Sequence, residues 1–542
     1  MRTLSQVLRD SATRFPQHKA IIEETSTLTY TQLNRRVDQL ARGLLDLGVG
    51  KGEKVGLWMP NISEWVITYF AVARIGGVIV PMNTRYKTHE VEFILGDSEA
   101  TTLFMVDSFA GIDFIEMISH ARQALPCLKH IVIVGEQSAN GSHRFNELLD
   151  RGAANLTDAL LADREALVAP LENVFILYTS GTTGNPKGAM LSHHNIARNA
   201  FQVTEVLHTT GDDVFLLPVP FFHCFGCVMG IAGAVTWGAS IVPMKAFKAE
   251  AALDLIEKHD VSVLYGVPTM FVLELEAYRK GRSSGEPYDA TSLRTGIMAG
   301  APCPVEVMRG TMDELGCNVS IAYGLTEASP VITMTRFHDS IDRRVETVGK
   351  ALDGIEIKIA DDDRNPLAVG EMGELACRGY NVMMGYYKLP DKTAEAIDDQ
   401  GWLYSGDLAT IDEEGYVKIV GRKKDMLITG GFNVYPAEIE EYLFTHPKVQ
   451  NVSVIGVSDP VFGEVAAAYI IPKEGETIDP QEMVDFCTGE IANFKVPRYV
   501  VVVDTLPMTQ SGKIQKFRLR ELAVEAFAGG QMTKLTPTKR GT

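Results

Sequence analysis

The chain runs to 542 residues, too long for one core of ordinary size, so a large domain of several subdomains plus a smaller one is expected. Hydrophobic residues make up 46% and charged residues 22%, enough apolar surface to bury, which excludes a disordered chain. With 69 acidic against 51 basic side chains the net charge is −18, which argues against nucleic acid as a partner and makes any phosphate site a local positive patch on an acidic body.

Residues 1–15 carry Arg2, Arg9, Asp10 and Arg14 without an apolar core, so no secretory signal is read there and cytoplasm is the expected compartment. Leu33, Val37, Leu40, Ala41 and Leu44 fall on one face of a helix. Apolar β-type runs follow at 55–59 and 78–81 with a helix between them, an alternation that implies parallel sheets. Further runs at 102–106, 131–134, 214–218, 261–265 and 296–299 are too many for one small sheet and predict two stacked α/β subdomains. From 345 to 420 the texture changes to short β runs, including 355–359 and 374–378, which predict a small β subdomain. After Arg422 a compact α+β pattern appears, with helices at 437–444 and 481–489 and strands at 452–457 and 499–503. The expected division is 1–423 for the large domain and 424–542 for a small mobile α+β C-terminal domain. In the last dozen residues Lys534, Lys539 and Arg540 have no acidic neighbours in sequence and read as a solvated tail.

Two features suggest functions and fail on closer reading. Residues 214–244 carry no fixed charge, a length that could span a bilayer, but Gly226, Gly230, Gly233, Gly238 and Pro243 break the run into a short helix and a strand, so no integral membrane segment is expected. Cys224 and Cys227 have C-x-x-C spacing, but no second pair lies nearby and both sit in an apolar stretch, so they read as small core residues. The seven cysteines look like reduced thiols.

Residues 178–188, YTSGTTGNPKG, are the most informative segment. Thr179, Ser180, Thr182 and Thr183 supply hydroxyl donors, Gly181 and Gly184 allow close backbone approach to a ligand, and Lys187 supplies a point charge for phosphate. The apolar run 174–177 predicts a buried strand, so the loop should leave a sheet edge and run on to a helix. A P-loop fails on spacing: counted from Gly181 it needs glycine where Pro186 stands and Ser or Thr where Gly188 stands. Four further segments stand downstream: Tyr323-Gly-Leu-Thr-Glu327, Tyr404-Ser-Gly-Asp407, the run Gly421-Arg-Lys-Lys-Asp-Met-Leu-Ile-Thr-Gly-Gly431, and Ser511-Gly-Lys513 in a turn-prone stretch.

Together, in this order, these motifs closely resemble those of adenylate-forming enzymes, the superfamily of acyl-CoA synthetases, firefly-type luciferases and peptide-synthetase adenylation domains, over nearly the whole chain. The resemblance implies a carboxylic acid substrate with ATP, Mg2+ and coenzyme A. A carboxylate is a poor electrophile, and attack of its oxygen on the α-phosphorus of ATP converts it into an acyl adenylate. Bringing two anions together demands a lysine, a cation and backbone donors at the point of contact.

By resemblance, Lys513 bridges the carboxylate and the α-phosphate, Thr326 is an α-phosphate ligand and Glu327 holds magnesium. Tyr323, with Gly324 beside it, stacks on adenine, and Gly300, Ala301 and Pro302 line the other face. Asp407 and Arg422 bind the ribose hydroxyls, and Lys424 is the hinge about which the small domain rotates between the two half-reactions. Gly430 and Gly431 give a smooth wall for pantetheine, and His223 sits beside the substrate carboxylate. Taken singly, Tyr323 would more often be a core residue, a histidine beside two phenylalanines is usually structural, and Asp407 with Arg422 could be a plain salt bridge.

The walls at 225–230, 265–270 and 298–300 contain small residues that should leave room for an extended alkyl chain. The segments Pro220-Phe-Phe-His-Cys, Tyr265-Gly-Val-Pro-Thr-Met-Phe, Arg378-Gly-Tyr-Asn-Val-Met-Met-Gly-Tyr and Ser511-Gly-Lys-Ile-Gln-Lys-Phe resemble medium-chain fatty acyl-CoA synthetases most closely. The expectation is an ATP-dependent fatty acid:CoA ligase for medium to long chains. An aryl-CoA ligase, an acyl transfer to a carrier protein and a non-catalytic nucleotide-binding regulator stand as alternatives, and oligomeric state is left open, a homodimer included.

Overall fold

A computed structural model describes residues 1–179, 186–508 and 514–536. They divide into two compact units: Met1–Glu356 with Cys377–Leu403, and Ile357–Ala376 with Tyr404 onward.

The first unit holds two sheets. In the eight-stranded sheet the order is Gly385–Tyr386, Lys187–Ser192, Asn173–Thr179, Val78–Pro81, Lys54–Trp58, Thr102–Val106, His130–Val134, His143–Arg144. In the nine-stranded sheet the order is Lys350–Ala351, Val331–Met334, Asn318–Gly324, Thr295–Ala299, Val263–Gly266, Val214–Leu217, Ser240–Pro243, Lys19–Ile22, Thr27–Thr29. The run from Asn318–Gly324 to Lys19–Ile22 is parallel throughout. Its strands are near-continuous apolar runs because helices cover both faces of a parallel sheet. The helix His193–Val206 touches Lys187–Ser192 of one sheet and Val331–Met334 of the other, so it lies between them, as two stacked α/β layers require. Thr3 with Gln6 and Thr29 with Gln32 form capping boxes that start the helices Leu4–Arg14 and Tyr30–Asp46. The second of these meets Phe145–Asn155 so closely that a Cβ on Gly152 would fall 1.9 Å from the Gln39 carbonyl oxygen.

The uncharged stretch 214–244 resolves into the strand Val214–Leu217, a π-helical turn Phe225–Ala232 continued by the helix Gly233–Trp237, and the strand Ser240–Pro243. Cys224 and Cys227 are buried and in no disulfide, and burial pushes Cys227 well above the ordinary thiol range. No helix among the described residues is long and apolar enough to cross a membrane.

The second unit contains most of the four-stranded sheet Ile355–Ala360, Gly373–Gly379, Leu403–Ile411, Val417–Arg422, and the chain passes between the units within these strands. It also contains a five-stranded sheet built on Val449–Asp459 and Gly463–Pro472, with the helices Pro436–Phe444, Pro480–Cys487 and Lys516–Ala528. One apolar cluster gathers Leu427, Val434, Ile439, Leu443, Val454 and Ile470; another gathers Ile455, Val465, Tyr469, Tyr499 and Leu519.

Several sequence expectations need correction. The segment after the 178–188 loop is the strand Lys187–Ser192, and a helix begins only at His193. The two strands form a hairpin in which Thr179 and Lys187 pair directly, so the loop leaves the carboxyl end of Asn173–Thr179 and returns into the same sheet. The helix expected at 481–489 stops at Cys487, since Thr488 turns to extended backbone. Lys534 is not unopposed: its ammonium pairs with Asp459, an acid brought near by the strand end rather than by sequence, and lies 5.7 Å from the Phe462 ring centre.

Candidate active site

Parallel strands deliver their loops to one end of the sheet, and the candidate segments of the first unit leave there. Val214–Leu217 leads to His223, Val263–Gly266 to the 265–270 wall, Thr295–Ala299 to Gly300, and Asn318–Gly324 to Thr326 and Glu327. Ligands in open α/β folds bind outside these carboxyl ends.

Tyr323 and Gly324 close their strand, and Thr326 and Glu327 stand in the single 3-10 turn that follows. The backbone is fixed tightly there. Leu325 N–H donates to Pro330 O at 2.9 Å, and a Cβ on Gly324 would fall 1.8 Å from that same oxygen, so only glycine fits. Met383 N–H donates to Glu327 O at 2.9 Å and holds the turn from the other side. Gly300, Ala301 and Pro302 are exposed, and Gly300 takes φ +93°, a left-handed conformation suited to glycine. The register pairs Ala299 with Ala322, so this segment and Tyr323 emerge side by side.

Lys187 and Thr179 face each other at the mouth of the hairpin, with Thr179 Oγ1 donating to Lys187 O at 3.4 Å. Ser180, Gly181, Thr182, Thr183 and Gly184 lie outside the described residues, as does Lys513. The Lys187 ammonium lies 4.5 Å from the ring centre of Tyr386, and the Tyr386 hydroxyl donates to Glu327 Oε1 at 2.8 Å. Two candidates separated by 140 positions of sequence thus meet on one tyrosine. Burial and the adjoining Glu327 carboxylate push the Tyr386 phenol up, so it stays a hydrogen-bond donor at neutral pH. A second set braces the hairpin from outside: Tyr178 donates to Asp97 Oδ2 at 2.5 Å, Tyr387 donates to Glu99 Oε2 at 3.1 Å, and Tyr387 N–H donates to Gly188 O at 2.8 Å.

Sequence reasoning missed Tyr386. It closes the segment 378–386, read as a marker of substrate class, and its partner Glu327 is 59 residues away; only the pairing of Tyr386 with Ala189 brings it to Lys187. Among the described residues no group of three His, Cys, Asp or Glu is placed to hold a metal ion. A single carboxylate, with Oε2 of Glu327 taking no hydrogen bond from a described residue, suits Mg2+, which takes few ligands from protein and keeps water and phosphate oxygens for the rest.

His223 is half-buried, and its Nδ1 accepts from Phe225 N–H at 3.3 Å. The wall it leads into is packed. Phe225 and Tyr265 lie 5.5 Å apart between ring centres, and Tyr265 also meets Phe215 at 5.5 Å. Three of the wall glycines are closely approached by neighbouring chain: a Cβ on Gly226 would fall 2.2 Å from Pro220 O, on Gly230 2.9 Å from Leu217 and on Gly266 3.0 Å from Phe271.

In the second unit Asp407, Arg422 and Lys424 line one cavity of about 350 Å³ with Ser405, Gly406 and Lys423. Asp407 pairs in register with Arg422, and Arg422 Nε lies 3.3 Å from Asp407 Oδ1. Glu374 organises the floor, accepting from Gly406 N–H at 2.9 Å and from the Lys423 ammonium at 3.3 Å. Lys423 also meets Asp362 at 2.8 Å, and these carboxylates hold it above the ordinary lysine range. Lys424 is shifted the other way, by desolvation first and by Arg422 second. Gly430 and Gly431 form the two-residue turn between Leu427–Thr429 and Phe432–Val434, both with positive φ, as a tight hairpin requires. Both are exposed.

A mixed α/β fold that brings Lys187, at the mouth of a hairpin, and Glu327, beyond the carboxyl end of a parallel strand, onto one tyrosine suits an enzyme that handles an anionic nucleotide. Residues 8–387 match the AMP-binding enzyme family and residues 438–513 match the AMP-binding enzyme C-terminal domain. A Bacillus subtilis (strain 168) protein named as an acyl-CoA synthetase, YngI, is 44% identical over 544 residues, covering 97% of this chain and 98% of that one. The mitochondrial medium-chain acyl-CoA ligase ACSF2 of Macaca fascicularis is 37% identical over 542 residues, covering 96% and 87%. The crystal structure of the anthranilate CoA ligase AuaEII in complex with anthranoyl-AMP superposes with a TM-score of 0.87 at 28% identity, covering 97% and 98%. The chain belongs to the AMP-binding enzyme family and is an AMP-forming acid–thiol ligase of the acyl-CoA synthetase type, using ATP and coenzyme A.

Proposed function

We propose that the chain is a fatty acid:CoA ligase that works through an acyl adenylate and prefers medium to long alkyl chains. The observation that carries this reading is the meeting of Lys187 and Glu327 on Tyr386, which sets a phosphate cation beside a metal carboxylate. In the first half-reaction a carboxylate oxygen attacks the α-phosphorus, the bond to the β-phosphate oxygen breaks and pyrophosphate leaves. In the second the thiol sulfur attacks the acyl carbon, AMP leaves with the electron pair of its bond, and the thiol proton passes to solvent. Lys187 balances phosphate charge, Thr326 donates to the α-phosphate, and Glu327 would hold Mg2+, which would supply positive charge to offset that of the phosphates. Asp407 accepts ribose hydroxyls, and Tyr323 with the Gly300 segment encloses adenine. Lys513 stabilises the adenylation transition state and is withdrawn for the second step, with Lys424 as the pivot between residues 1–423 and 424–542, while Gly430 and Gly431 line the thiol path. His223 adjoins the carboxylate. Cytoplasm remains the proposed compartment, supported by seven cysteines of which none forms a disulfide.

The alkyl preference is supported by the names of the medium-chain relatives. An aromatic acid is the second reading, supported by the packed aromatic wall of Phe225 and Tyr265 and by the fold likeness to an anthranilate ligase. ATP turnover with straight-chain acids of graded length and with benzoate, with and without coenzyme A, separates them. AMP and acyl-CoA with a chain-length optimum support the alkyl reading; AMP with benzoate alone overturns it.

A further inference from the structure

We infer that Tyr386 is a positioning residue that couples the nucleotide phosphates to the metal, its ring holding Lys187 and its hydroxyl holding the Glu327 carboxylate. The inference rests on the reading of Glu327 as the Mg2+ ligand and of Lys187 as a phosphate ligand.

The placement follows from strand geometry. The short strand Gly385–Tyr386 pairs antiparallel with Lys187–Ser192, with Tyr386 opposite Ala189. Lys187 stands two residues before Ala189, on the same face of its strand, which makes it the diagonal neighbour of Tyr386, within reach of a long side chain across a sheet. Ala189 is small and buried and does not obstruct that diagonal. The tyrosine backbone is held independently, with its N–H donating to Thr393 Oγ1 at 2.9 Å, and Gly385 has φ +131° with Thr393 2.8 Å from where a Cβ would sit. The backbone that carries the ring is therefore held by contacts to Thr393, which is neither ligand residue.

Two separable consequences follow. The hydroxyl engages Oε1 of Glu327 and leaves Oε2 for a cation, so it sets the carboxylate's rotation, as hydrogen bonds to metal-ligating carboxylates generally do. The ring face attracts the Lys187 ammonium and, among the described residues, no carboxylate forms an ion pair with it, so the charge is kept for phosphate. Phenylalanine at 386 removes the first effect and keeps the second; leucine removes both.

Mn2+ serves as the probe for Mg2+, read by electron paramagnetic resonance with a non-hydrolysable ATP analogue. Affinity for the analogue alone is measured in a chelator, and no turnover enters either reading. For Tyr386→Phe the expected result is about tenfold weaker Mn2+ binding with unchanged affinity for the metal-free analogue. For Tyr386→Leu both should weaken, and a Leu variant that does not fold leaves the Phe comparison intact. Glu327→Gln separates the two levels. If it binds Mn2+ like the wild type, the metal reading itself is wrong. If it loses Mn2+ while Tyr386→Phe binds as the wild type does, the positioning role of Tyr386 is overturned.

Discussion

Arg422 faces Asp407 directly across two antiparallel strands, with Nε 3.3 Å from Oδ1, and the pair forms one wall of a cavity of about 350 Å³. The Arg422 side chain is 51% exposed and that of Asp407 12%, so as an ion pair alone it is worth less than about 1 kcal/mol. Its position in the lining of the cavity gives it another use, since a carboxylate there can accept hydrogen bonds from hydroxyl groups. Asp407→Asn should raise the KM for ATP at least tenfold, in line with about 1.5–3 kcal/mol for a hydrogen bond to a charged group. The melting temperature should move little. A large loss of stability with unchanged KM would assign the pair a purely structural role.

Gly324 tests how tightly the Thr326–Glu327 turn is held. A Cβ there meets the Pro330 carbonyl at 1.8 Å, which is backbone and cannot rotate aside. Gly324→Ala should cost about 1–3 kcal/mol in denaturant unfolding and lower adenylation, because relief comes only by shifting the turn that carries Glu327. Full activity with full stability would show that the turn is not fixed by this contact.

The strands of the parallel sheet are legible because both of its faces are buried, and 102–106 and 78–81 have the observed bounds; the 452–457 run lies inside Val449–Asp459, an antiparallel strand whose apolar residues pack in the core of the second unit. The hairpin after Thr179 was not legible, since the Gly188–Leu191 run alternates no better as a strand than as the start of the following helix, and only pairing with Asn173–Thr179 decides it. The motifs located Lys187, Glu327, Asp407 and Arg422, but nothing in their spacing says what holds them. Tyr386 and Glu374 are found through cross-strand register and tertiary hydrogen bonds, which one sequence does not carry. At Gly226, Gly230 and Gly266 the sequence likewise does not show that Pro220, Leu217 and Phe271 approach within 3.0 Å of where a Cβ would sit.

Glu440 should matter to the first half-reaction through Lys513. Its carboxylate accepts from Val454 N–H at 2.7 Å and from the Lys516 ammonium at 2.7 Å, tying the helix that begins at Lys516 to the central sheet of the second unit. Met508 is bridged to Ile514, and Gln515 N–H donates to Pro507 O at 2.7 Å. Glu440→Gln keeps an acceptor but loses the ion pair, and adenylate formation should fall by about tenfold, the order expected for a charge-assisted bond. Thioester formation from supplied acyl adenylate should be spared. Equal losses in both half-reactions would mean that Glu440 serves only the stability of its domain.

Glu274 gives the protein a pH dependence that no site residue explains. It is 1% exposed in the helix Pro268–Ser284, and neither carboxylate oxygen finds a partner among the described residues. Burial raises its pKa from 4.5 to about 8. For a carboxyl with a raised folded pKa, the folded state holds the proton more tightly than the unfolded chain between these two values, so stability falls as pH climbs through that window. At pH 7 the loss from this residue is on the order of 3 kcal/mol relative to pH 4, an upper bound because buried groups gain some solvation by relaxing. Buried His193, with its pKa lowered to about 4, acts in the opposite direction, since the unfolded chain gains its proton as pH falls below 6.5. The two slopes overlap in the wild type, so a single melting curve against pH does not isolate Glu274. Glu274→Gln does, because it leaves His193 in place and removes only the carboxyl that ionises. The variant should gain on the wild type steadily from pH 5 to pH 8 in urea unfolding, and parallel curves over that range would show that the carboxyl is not held neutral in the fold.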